Sequence, residues 1–324
     1  HNSHPEPAQH QYYFKKAKGT AQLGIYLNKL KELPVPLPPL AEQKRIVEKI
    51  DQLMALCDRL EAEKAARDRT RAALHAAAMN RFLGAPDGQA FAASWNFIAQ
   101  NFGTLYSTAE NVADLKKAVL QLAVMGKLVP QNPNDPPASE LLKEIEAEKA
   151  RLVKDGTIKK QEPLPPIRPE EIPFDLPKGW EWVRLGNYFN LKSGISFKKE
   201  EELSEGKYIY LKVGEMNKPG NEIHITSASV FLSETKVVLN ALIPTNSIIF
   251  PKRGGAIATN KKRIVIFPIC VDTNIMAITC PNKIDIMYAY NWLMTYDLAS
   301  LNTGTSVPQI NNKEIAPLLF PLPP

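Results

Sequence analysis

The sequence predicts an α+β protein in which long helices of the coiled-coil type accompany a globular domain of α/β composition. Three observations lead to this prediction. The segment from Leu40 to Arg81 contains neither proline nor glycine, short β-branched and aromatic runs fill the second half of the chain, and a Pro-rich motif recurs at both ends. With 324 residues, the chain is long enough for two or three domains.

The internal repeat relates the beginning of the chain to its end. Gly19-Thr20 begins a stretch that ends at Pro36-Leu37-Pro38-Pro39, and Gly304-Thr305 begins one that ends at Pro321-Leu322-Pro323-Pro324. Apolar positions align between the two copies without a gap: Ile25 with Ile310, Leu30 with Ile315, and Leu33 with Leu318. We therefore expect one period of a two-unit protein, beginning near the end of one unit and stopping at the end of the next.

The proline-free and glycine-free segment from Leu40 to about Arg81 predicts a single helix, a rod of roughly 60 Å at 1.5 Å per residue. Its apolar residues follow the alternating four- and three-residue spacing of a coiled-coil seam: Ile46, Ile50, Leu53, Cys57 and Leu60. The alternative is an amphipathic helix that lies on a globular core. The length and charge of the segment favour a protruding rod, and the seam predicts self-association unless the helices near 112–154 cover it.

Further helices and a linker are expected before the globular domain begins. Gly84-Ala85-Pro86-Asp87-Gly88 ends the long helix. Two shorter helices follow, one from about Val112 to Met125 and one that Ser139 caps, from Glu140 to about Lys154. A Pro-rich linker runs from Pro163 to Pro177.

The part of the chain from 176 to 324 has the texture of a globular α+β domain. Short β-branched or aromatic runs bounded by turn residues predict strands at 208–211, 247–250 and 263–267. The segment from Met287 to Ser300 predicts a helix.

Composition restricts the classes of protein to which the chain could belong. Hydrophobic residues make up 44% and charged residues 23%, and no apolar run approaches the roughly 18 residues that span a bilayer. The polar start at His1-Asn2-Ser3-His4 has no secretory signal and no Met, so we expect the true start to be missing. Because Cys57, Cys270 and Cys280 fit no zinc-site spacing, we expect free thiols in a reducing cytosol and no bound metal.

Positive charge is concentrated in one segment. The net charge is +6, and no acidic residue lies between Glu234 and Asp272. The basic residues of that segment are Lys236, Lys252, Arg253, Lys261, Lys262 and Arg263. Such a segment suits a polyanion such as nucleic acid, and a solvated basic loop is the alternative that charge alone leaves open.

Two motifs that are typical of enzymes are incomplete here. Asn134-Asp135-Pro136-Pro137-Ala138 is similar to the D-P-P-aromatic motif of amino-methyltransferases, but Ala138 replaces the ring that stacks on a flipped base. Lys252-Arg253-Gly254-Gly255 lacks the G-K-[ST] ending of a phosphate-binding loop. We therefore expect a non-catalytic chain that requires no cofactor and binds neither S-adenosylmethionine nor ATP. The incomplete motifs therefore disfavour the alternative that the chain is a DNA-modifying enzyme.

Four stretches together resemble the specificity subunit of Type I restriction-modification enzymes. PLPPLAEQKRI at 36–46 is similar to that family's exit from a target-recognition domain into a conserved helix. LKKAVLQLAVMGKLV at 115–129 is similar to the helix before the next recognition domain. LPKGWEWVRLG at 176–186 resembles the start of a recognition domain, and GTSVPQIN at 304–311 resembles its end.

This resemblance implies a domain organisation and a set of partners. Residues 1–39 would be the tail of a first target-recognition domain, 40–175 the central conserved helices, and 176–324 the second recognition domain. Each recognition domain would read half of a split site in double-stranded DNA. The helices would bind modification subunits, which hold S-adenosylmethionine and methylate adenine, and a restriction subunit would join through the complex. Most of the first recognition domain, and the helix expected after Pro324, would be missing.

The residues that we expect to contact DNA fall into three groups. Basic residues beside two glycines are predicted to contact phosphates: Lys252, Arg253, Lys261, Lys262 and Arg263. Amide side chains are predicted to pair with base edges: Asn260, Gln309, Asn311 and Asn312. A second candidate loop contains Lys192, Ser193, Lys198 and Lys199. Turn capping is the alternative role for each amide, and a non-specific nucleic-acid-binding coiled-coil adaptor is the alternative for the whole chain.

Overall fold

The computed structural model describes residues 35–156, 162–303 and 307–324, together with Leu27 and Lys31. The chain divides into two compact units, His1–Thr70 and Arg71–Pro324. Most of the predicted tail at 1–39 lies outside the described residues, as do the starts of both repeat copies at Gly19-Thr20 and Gly304-Thr305. No helix within the described ranges is long and apolar enough to cross a membrane.

The long helix is confirmed. Helix α1 covers Leu40–Leu83, 44 residues, because no proline or glycine interrupts its backbone hydrogen bonds. The seam side chains Ile46, Ile50, Leu53 and Leu60 are 44% to 54% exposed, and Cys57 is exposed as well. No described residue between 40 and 70 is buried.

The C-terminal end of α1 belongs to the second unit, where it meets a helical cluster. The cluster adds helices α2 (Gly88–Gln100), α3 (Phe102–Leu105) and α4 (Ala109–Val124). Thr108 accepts a hydrogen bond from the backbone N–H of Asn111 at 3.3 Å, so α4 begins three residues before the predicted start at Val112. The core of the cluster consists of fully buried apolar side chains, among them Phe82, Ile98, Leu105 and Leu122.

Helix α5 covers Ala138–Lys154 and begins two residues before its predicted start. Ser139 lies in its first turn and is not the cap; Pro137 occupies that position without a side-chain hydrogen bond. Ala138 is fully buried, and its N–H donates to the carbonyl of Gly179 at 2.8 Å. The residue that stands in place of the methyltransferase ring is therefore a packing residue of the core.

The described residues of the strand-rich domain form three sheets. Its strands are β1 (Glu181–Arg184), β2 (Asn190–Ser193), β3 (Tyr208–Leu211), β4 (His224–Ile225), β5 (Phe231–Leu232), β6 (Ser247–Pro251), β7 (Arg263–Val265), β8 (Cys270–Val271), β9 (Ile275–Thr279) and β10 (Leu319–Leu322). The central sheet has the order β2-β9-β6-β7-β4, a second has the order β5-β3-β8, and β1 pairs with β10. The β4–β7 and β3–β8 pairs are parallel and the others are antiparallel. The mixture of short strands and helices confirms the α+β fold class.

Short helices connect these strands: α6 (Leu185–Tyr188), α7 (Lys236–Ala241), α8 (Ile286–Met294) and α9 (Asn312–Ile315). The predicted helix from Met287 to Ser300 is divided in the structure. Helix α8 ends at Met294, and a 3₁₀ helix begins at Leu298, because the Asp297 carboxylate accepts the N–H of Ala299 at 3.0 Å.

A buried arginine fixes the Pro-rich linker to the domain. Arg184, on β1, donates to the carbonyls of Pro165 and Pro317 at 3.0 and 3.1 Å and to both carboxylate oxygens of Glu171. The hydrogen bonds that the Glu171 carboxylate accepts from Arg184, and then the one from the backbone N–H of Arg168, lower its pKa to about 2. The linker is therefore a docked segment of the second unit.

Gly126, just after α4, packs closely against Pro177 and Trp180 at the start of the strand-rich domain. Its φ is +68°, and an added Cβ would lie 2.5 Å from Cγ of Pro177 and 3.0 Å from the ring of Trp180. We expect Gly126→Ala to lower the free energy of unfolding by about 2–4 kcal/mol, because backbone strain and overpacking add. Urea unfolding followed by circular dichroism measures the change.

Gly103→Ala is the matched control for this prediction. Gly103 lies in α3, and a Cβ there would meet no atom within 4 Å. We expect the urea concentration at its unfolding midpoint to equal that of the parent or to be slightly higher, since alanine favours helix. Equal destabilisation by both substitutions would contradict the packing role of Gly126.

Candidate nucleic-acid interface

Two segments that are distant in the sequence meet at one surface of the strand-rich domain. We call residues 252–260 the basic turn and residues 307–312 the amide segment. The N–H of Gly254 donates to the carbonyl of Pro308 at 2.8 Å, and the N–H of Ile310 donates to that of Lys252 at 2.9 Å. Arg253 and Gln309 face each other in this antiparallel bridge. The structure therefore brings predicted phosphate-contacting and base-contacting residues together.

The glycine in the basic turn has a conformational reason. Gly254 has φ of +73°, a left-handed conformation that L side chains adopt rarely. The chain then forms a 3₁₀ helix from Gly255 to Thr259 and reaches Asn260, which also has positive φ at +53°. These two bends return the chain from β6 to β7 and leave Arg253 exposed on the surface.

Side-chain hydrogen bonds organise the amide segment. Nε2 of Gln309 donates to Oδ1 of Asn311 at 2.7 Å, and the backbone N–H of Gln309 donates to Oδ1 of Asn302 at 2.7 Å. The N–H of Asn311 donates to the Glu314 carboxylate at 2.7 Å. Asn312 is exposed at the start of α9. Gln309 and Asn311 therefore form a hydrogen-bonded amide pair. Their backbone N–H groups donate to Asn302 and Glu314 and so help to stabilise the loop.

Lys252 connects the basic turn to the neighbouring strand. Its Nζ donates to Oγ of Ser193, on β2, at 2.8 Å. Burial, and then the charge of Arg253, lower the pKa of the Lys252 ammonium. Sequence reasoning placed Ser193 in a separate loop, whereas strand pairing brings it beside the basic turn.

The remaining residues of the second candidate loop do not join this surface. Lys192 lies on β2, where alternation points it away from the side of Ser193. Its Nζ donates to the carbonyls of Asn240 and Leu242 at 2.7 and 2.9 Å, and burial lowers its pKa. Lys198 and Lys199 are exposed at a 3₁₀ helix, and Lys199 pairs with Glu202 at 3.4 Å. The four residues therefore do not form one loop: Lys192 and Ser193 lie on β2, whereas Lys198 and Lys199 lie at a 3₁₀ helix.

Two of the five predicted phosphate contacts point into the protein. Lys262 is 1% exposed, and its Nζ donates to Oδ1 of Asn260 at 2.8 Å and to the carbonyl of Tyr296 at 2.7 Å. Arg263 is buried and donates through Nε and Nη2 to the carbonyl of Met216 at 3.3 and 3.1 Å. Both side chains are therefore buried, which is not the exposed position that a phosphate contact requires. Charge pattern alone does not reveal this orientation.

Asn260 and Lys261 are adjacent in the sequence, but their side chains make different contacts. Oδ1 of Asn260 accepts from Lys262 and from the N–H of Leu298 at 2.9 Å, so turn capping, the alternative for the amides, describes this residue. Lys261 donates to the side chain of Asn217 and is only half-buried. The predicted DNA-contacting residues of these segments that are exposed or partly exposed and do not serve as a turn cap are Lys252, Arg253, Lys261, Gln309, Asn311 and Asn312, and their contact with DNA stays a prediction.

The chain belongs to the family of the Type I restriction modification DNA specificity domain, whose family model matches residues 8–67 and 177–324. These two matched ranges include both copies of the internal repeat. The membership confirms the resemblance to this family; the stretches at 36–46 and 304–311 lie within the matched ranges and the one at 176–186 lies there from residue 177 on, whereas the stretch at 115–129 lies outside them. The second range also includes every residue of the basic turn and the amide segment.

Two relatives from Escherichia coli are similar over long stretches. The Type I restriction enzyme EcoAI specificity subunit is 38% identical over 302 residues, 90% of this chain and 50% of that protein. The EcoEI specificity subunit is 47% identical over 164 residues, 50% of this chain and 28% of its own length. The chain thus spans about half the length, or less, of the curated relatives that it matches.

Solved structures align over nearly the whole chain at low identity. A chain from a type I R-M system assembly has 16% identity and a TM-score of 0.47, covering 98% of this chain and 56% of that one. The HsdS subunit from Thermoanaerobacter tengcongensis has 15% identity and a TM-score of 0.40, covering 97% and 56%.

The buried Lys262 ammonium predicts a pH dependence of stability. Burial lowers its pKa to about 8, against 10.5 for a free lysine, so the unfolded chain binds the proton more tightly than the folded one. Lys262 should therefore contribute a rise in the free energy of unfolding between about pH 8 and 10.5, by on the order of 3 kcal/mol. Lys262→Met should lack this rise, which denaturant titrations of both proteins across that range measure. Parallel pH profiles for the two proteins would contradict the buried charge.

Proposed function

We propose that this chain binds double-stranded DNA sequence-specifically, as a DNA-specificity subunit or part of one in a Type I restriction-modification complex. The observation that supports this most is the surface where the basic turn and the amide segment meet. Phosphate contacts give affinity without sequence choice, whereas amide contacts to base edges discriminate. A site that reads DNA needs both, and here a backbone bridge holds Arg253 beside Gln309. Family membership and the names of the relatives support the same function.

Residue roles follow from exposure and hydrogen-bonding capacity. Arg253, exposed and next to Gly254, would contact phosphate, with Lys252 and Lys261 alongside. The hydrogen bond within the pair uses one N–H of Gln309 and one lone pair of Asn311 Oδ1, so both side chains keep further capacity to donate and to accept. An adenine edge in the major groove offers one donor and one acceptor in return. Asn312 would extend this reading edge.

The chain would do no chemistry itself. Methyltransferase subunits would hold S-adenosylmethionine and modify the DNA, and a restriction subunit would cleave it within the same complex. Helix α1 would then provide the surface that separates recognition domains and binds these subunits. The specificity-subunit reading is favoured over a non-specific adaptor because the basic turn is joined to amides instead of standing alone.

Paired substitutions at the bridge separate affinity from specificity. Arg253→Gln should weaken matched and mismatched duplexes alike and reduce the slope of log affinity against log salt by about 0.9, because one phosphate contact is lost. Gln309→Ala should weaken the matched duplex by about 1–3 kcal/mol and leave the salt slope unchanged, because a base contact is lost. Fluorescence anisotropy of the full chain over a salt series measures both.

Lys178→Gln is the control for charge removal, since Lys178 is exposed outside this surface. It should change neither slope nor discrimination. If Arg253→Gln lost affinity only for the matched duplex, Arg253 would be a base contact. If Gln309→Ala lost affinity equally for both duplexes, the non-specific adaptor would be favoured.

The isolated chain should bind neither S-adenosylmethionine nor ATP. The motivation is the incomplete methyltransferase motif, in which the position of the ring is the buried Ala138, and the absence of a glycine-rich loop from the sequence. Calorimetry on the full chain checks this expectation. Micromolar binding of either ligand would favour a DNA-modifying enzyme instead.

The exposed seam of α1 should support concentration-dependent self-association. Burying five seam residues at about 1.5–3 kcal/mol each gives roughly 7–15 kcal/mol, against association costs of about 4–15 kcal/mol. Ile50 is 52% exposed, and Ile50→Lys places a charge in the seam, so it should shift the chain toward monomer. Sedimentation equilibrium at tens of micromolar measures the change. Arg59→Lys, a substitution of an exposed residue outside the seam, is the control, and a parent that is already monomeric would contradict the prediction.

A further inference from the structure

Lys262 is a charged side chain that the proposed DNA contacts do not use. It lies two residues after the basic turn and is 1% exposed. Its Nζ donates hydrogen bonds to two acceptors from different segments. One acceptor is Oδ1 of Asn260, the last residue of the basic turn, and the other is the carbonyl of Tyr296. The ammonium therefore connects the turn to the segment that follows α8.

The segment after α8 leads directly to the amides. Oδ1 of Asn260 also accepts the N–H of Leu298, the first residue of the 3₁₀ helix Leu298–Leu301. The next residue, Asn302, accepts the N–H of Gln309 at 2.7 Å through its side chain. Hydrogen bonds and short stretches of chain thus link Lys262, through Asn260 and Asn302, to the amide that faces Arg253. This linkage is separate from the backbone bridge between Gly254 and Pro308.

The surroundings of Lys262 supply little compensation for its charge. Asp297 is the one charged group that raises its pKa, and burial outweighs that effect. The phenol of Tyr296 points elsewhere, to the carbonyl of Leu319, and Arg263 donates to the carbonyls of Met216 and Lys262. A buried charge of this kind adds little to stability, and its most clearly established contribution is to select one geometry.

We propose that Lys262 is a positioning residue for DNA recognition: it holds the basic turn against the 296–303 segment, so that phosphate-contacting and base-contacting residues stay in one arrangement. It would determine discrimination between sequences without touching DNA. This inference rests on the proposed function and names a residue on which the specificity of that site depends.

Two variants of the full chain test the inference. Lys262→Met removes both hydrogen bonds while keeping an unbranched side chain, and Asn260→Gly removes the shared acceptor while tolerating positive φ. Each should reduce the matched-to-mismatched affinity ratio by about tenfold, mainly through weaker matched binding. The salt slope should not change, because no phosphate contact is lost. The double variant should lose no more than either single variant, because both act on one linkage. Lys178→Met is the matched lysine control.

A pH series adds a result that a merely structural role would not produce. Discrimination by the parent chain should fall as pH rises through about 8, since a neutral amine is a weaker donor than an ammonium. Lys262→Met should show a flat profile at the lower ratio, and Lys178→Met should follow the parent. Hydrogen exchange, measured without DNA, should be faster in both Lys262→Met and Asn260→Gly at residues 254–260 and 297–303.

The possible results are distinguishable. Discrimination equal to that of the parent in both Lys262→Met and Asn260→Gly would overturn the positioning role while leaving the proposed function intact. A parent chain that does not discriminate would contradict the proposed function. Even then, hydrogen exchange decides the linkage, because unchanged protection of residues 254–260 in both variants would overturn it.

Discussion

The candidate recognition surface depends on one backbone interaction, the pairing of residues 252–254 with residues 308–310. Two hydrogen bonds, at 2.8 and 2.9 Å, join segments that the sequence places far apart. Gly254 allows the pairing because its positive φ turns the chain after Arg253. Without this pairing the cations and the amides would occupy separate loops, and neither group alone would combine affinity with base discrimination.

The rest of the domain holds this pairing in place. The antiparallel pair of β1 and β10 joins the beginning of the strand-rich domain to its end, and the central sheet supports the basic turn through β6 and β7. Buried cations then brace the strand ends: Arg184 holds the linker, Arg263 holds residues near Met216, and Lys262 holds the segment after α8. These residues are part of the positive charge of the chain, but their charge acts inside the fold.

Sequence reasoning predicted the elements that strong local signals define. The absence of proline and glycine predicted α1, and β-branched runs predicted β3 and β6 within a residue. It missed α2, because that helix has an aromatic composition and is stabilised by contacts such as the stacking of Phe82 on Phe91. It also grouped Lys262 and Arg263 with Arg253, because charge in a sequence does not show which side chains turn inward. The approach of Ser193 to Lys252 depends on strand pairing, for which the sequence holds no local signal.

The central claim is that the surface formed by residues 252–261 and 307–312 reads DNA sequence. The most direct measurement is a binding selection in which the full chain chooses from random duplexes, followed by sequencing of the bound fraction. We expect the parent chain to enrich one short, defined motif, and Gln309→Ala to lose one base preference within that motif. Binding without enrichment of any motif would contradict this claim and would leave a protein that recognises only the charge of the DNA backbone.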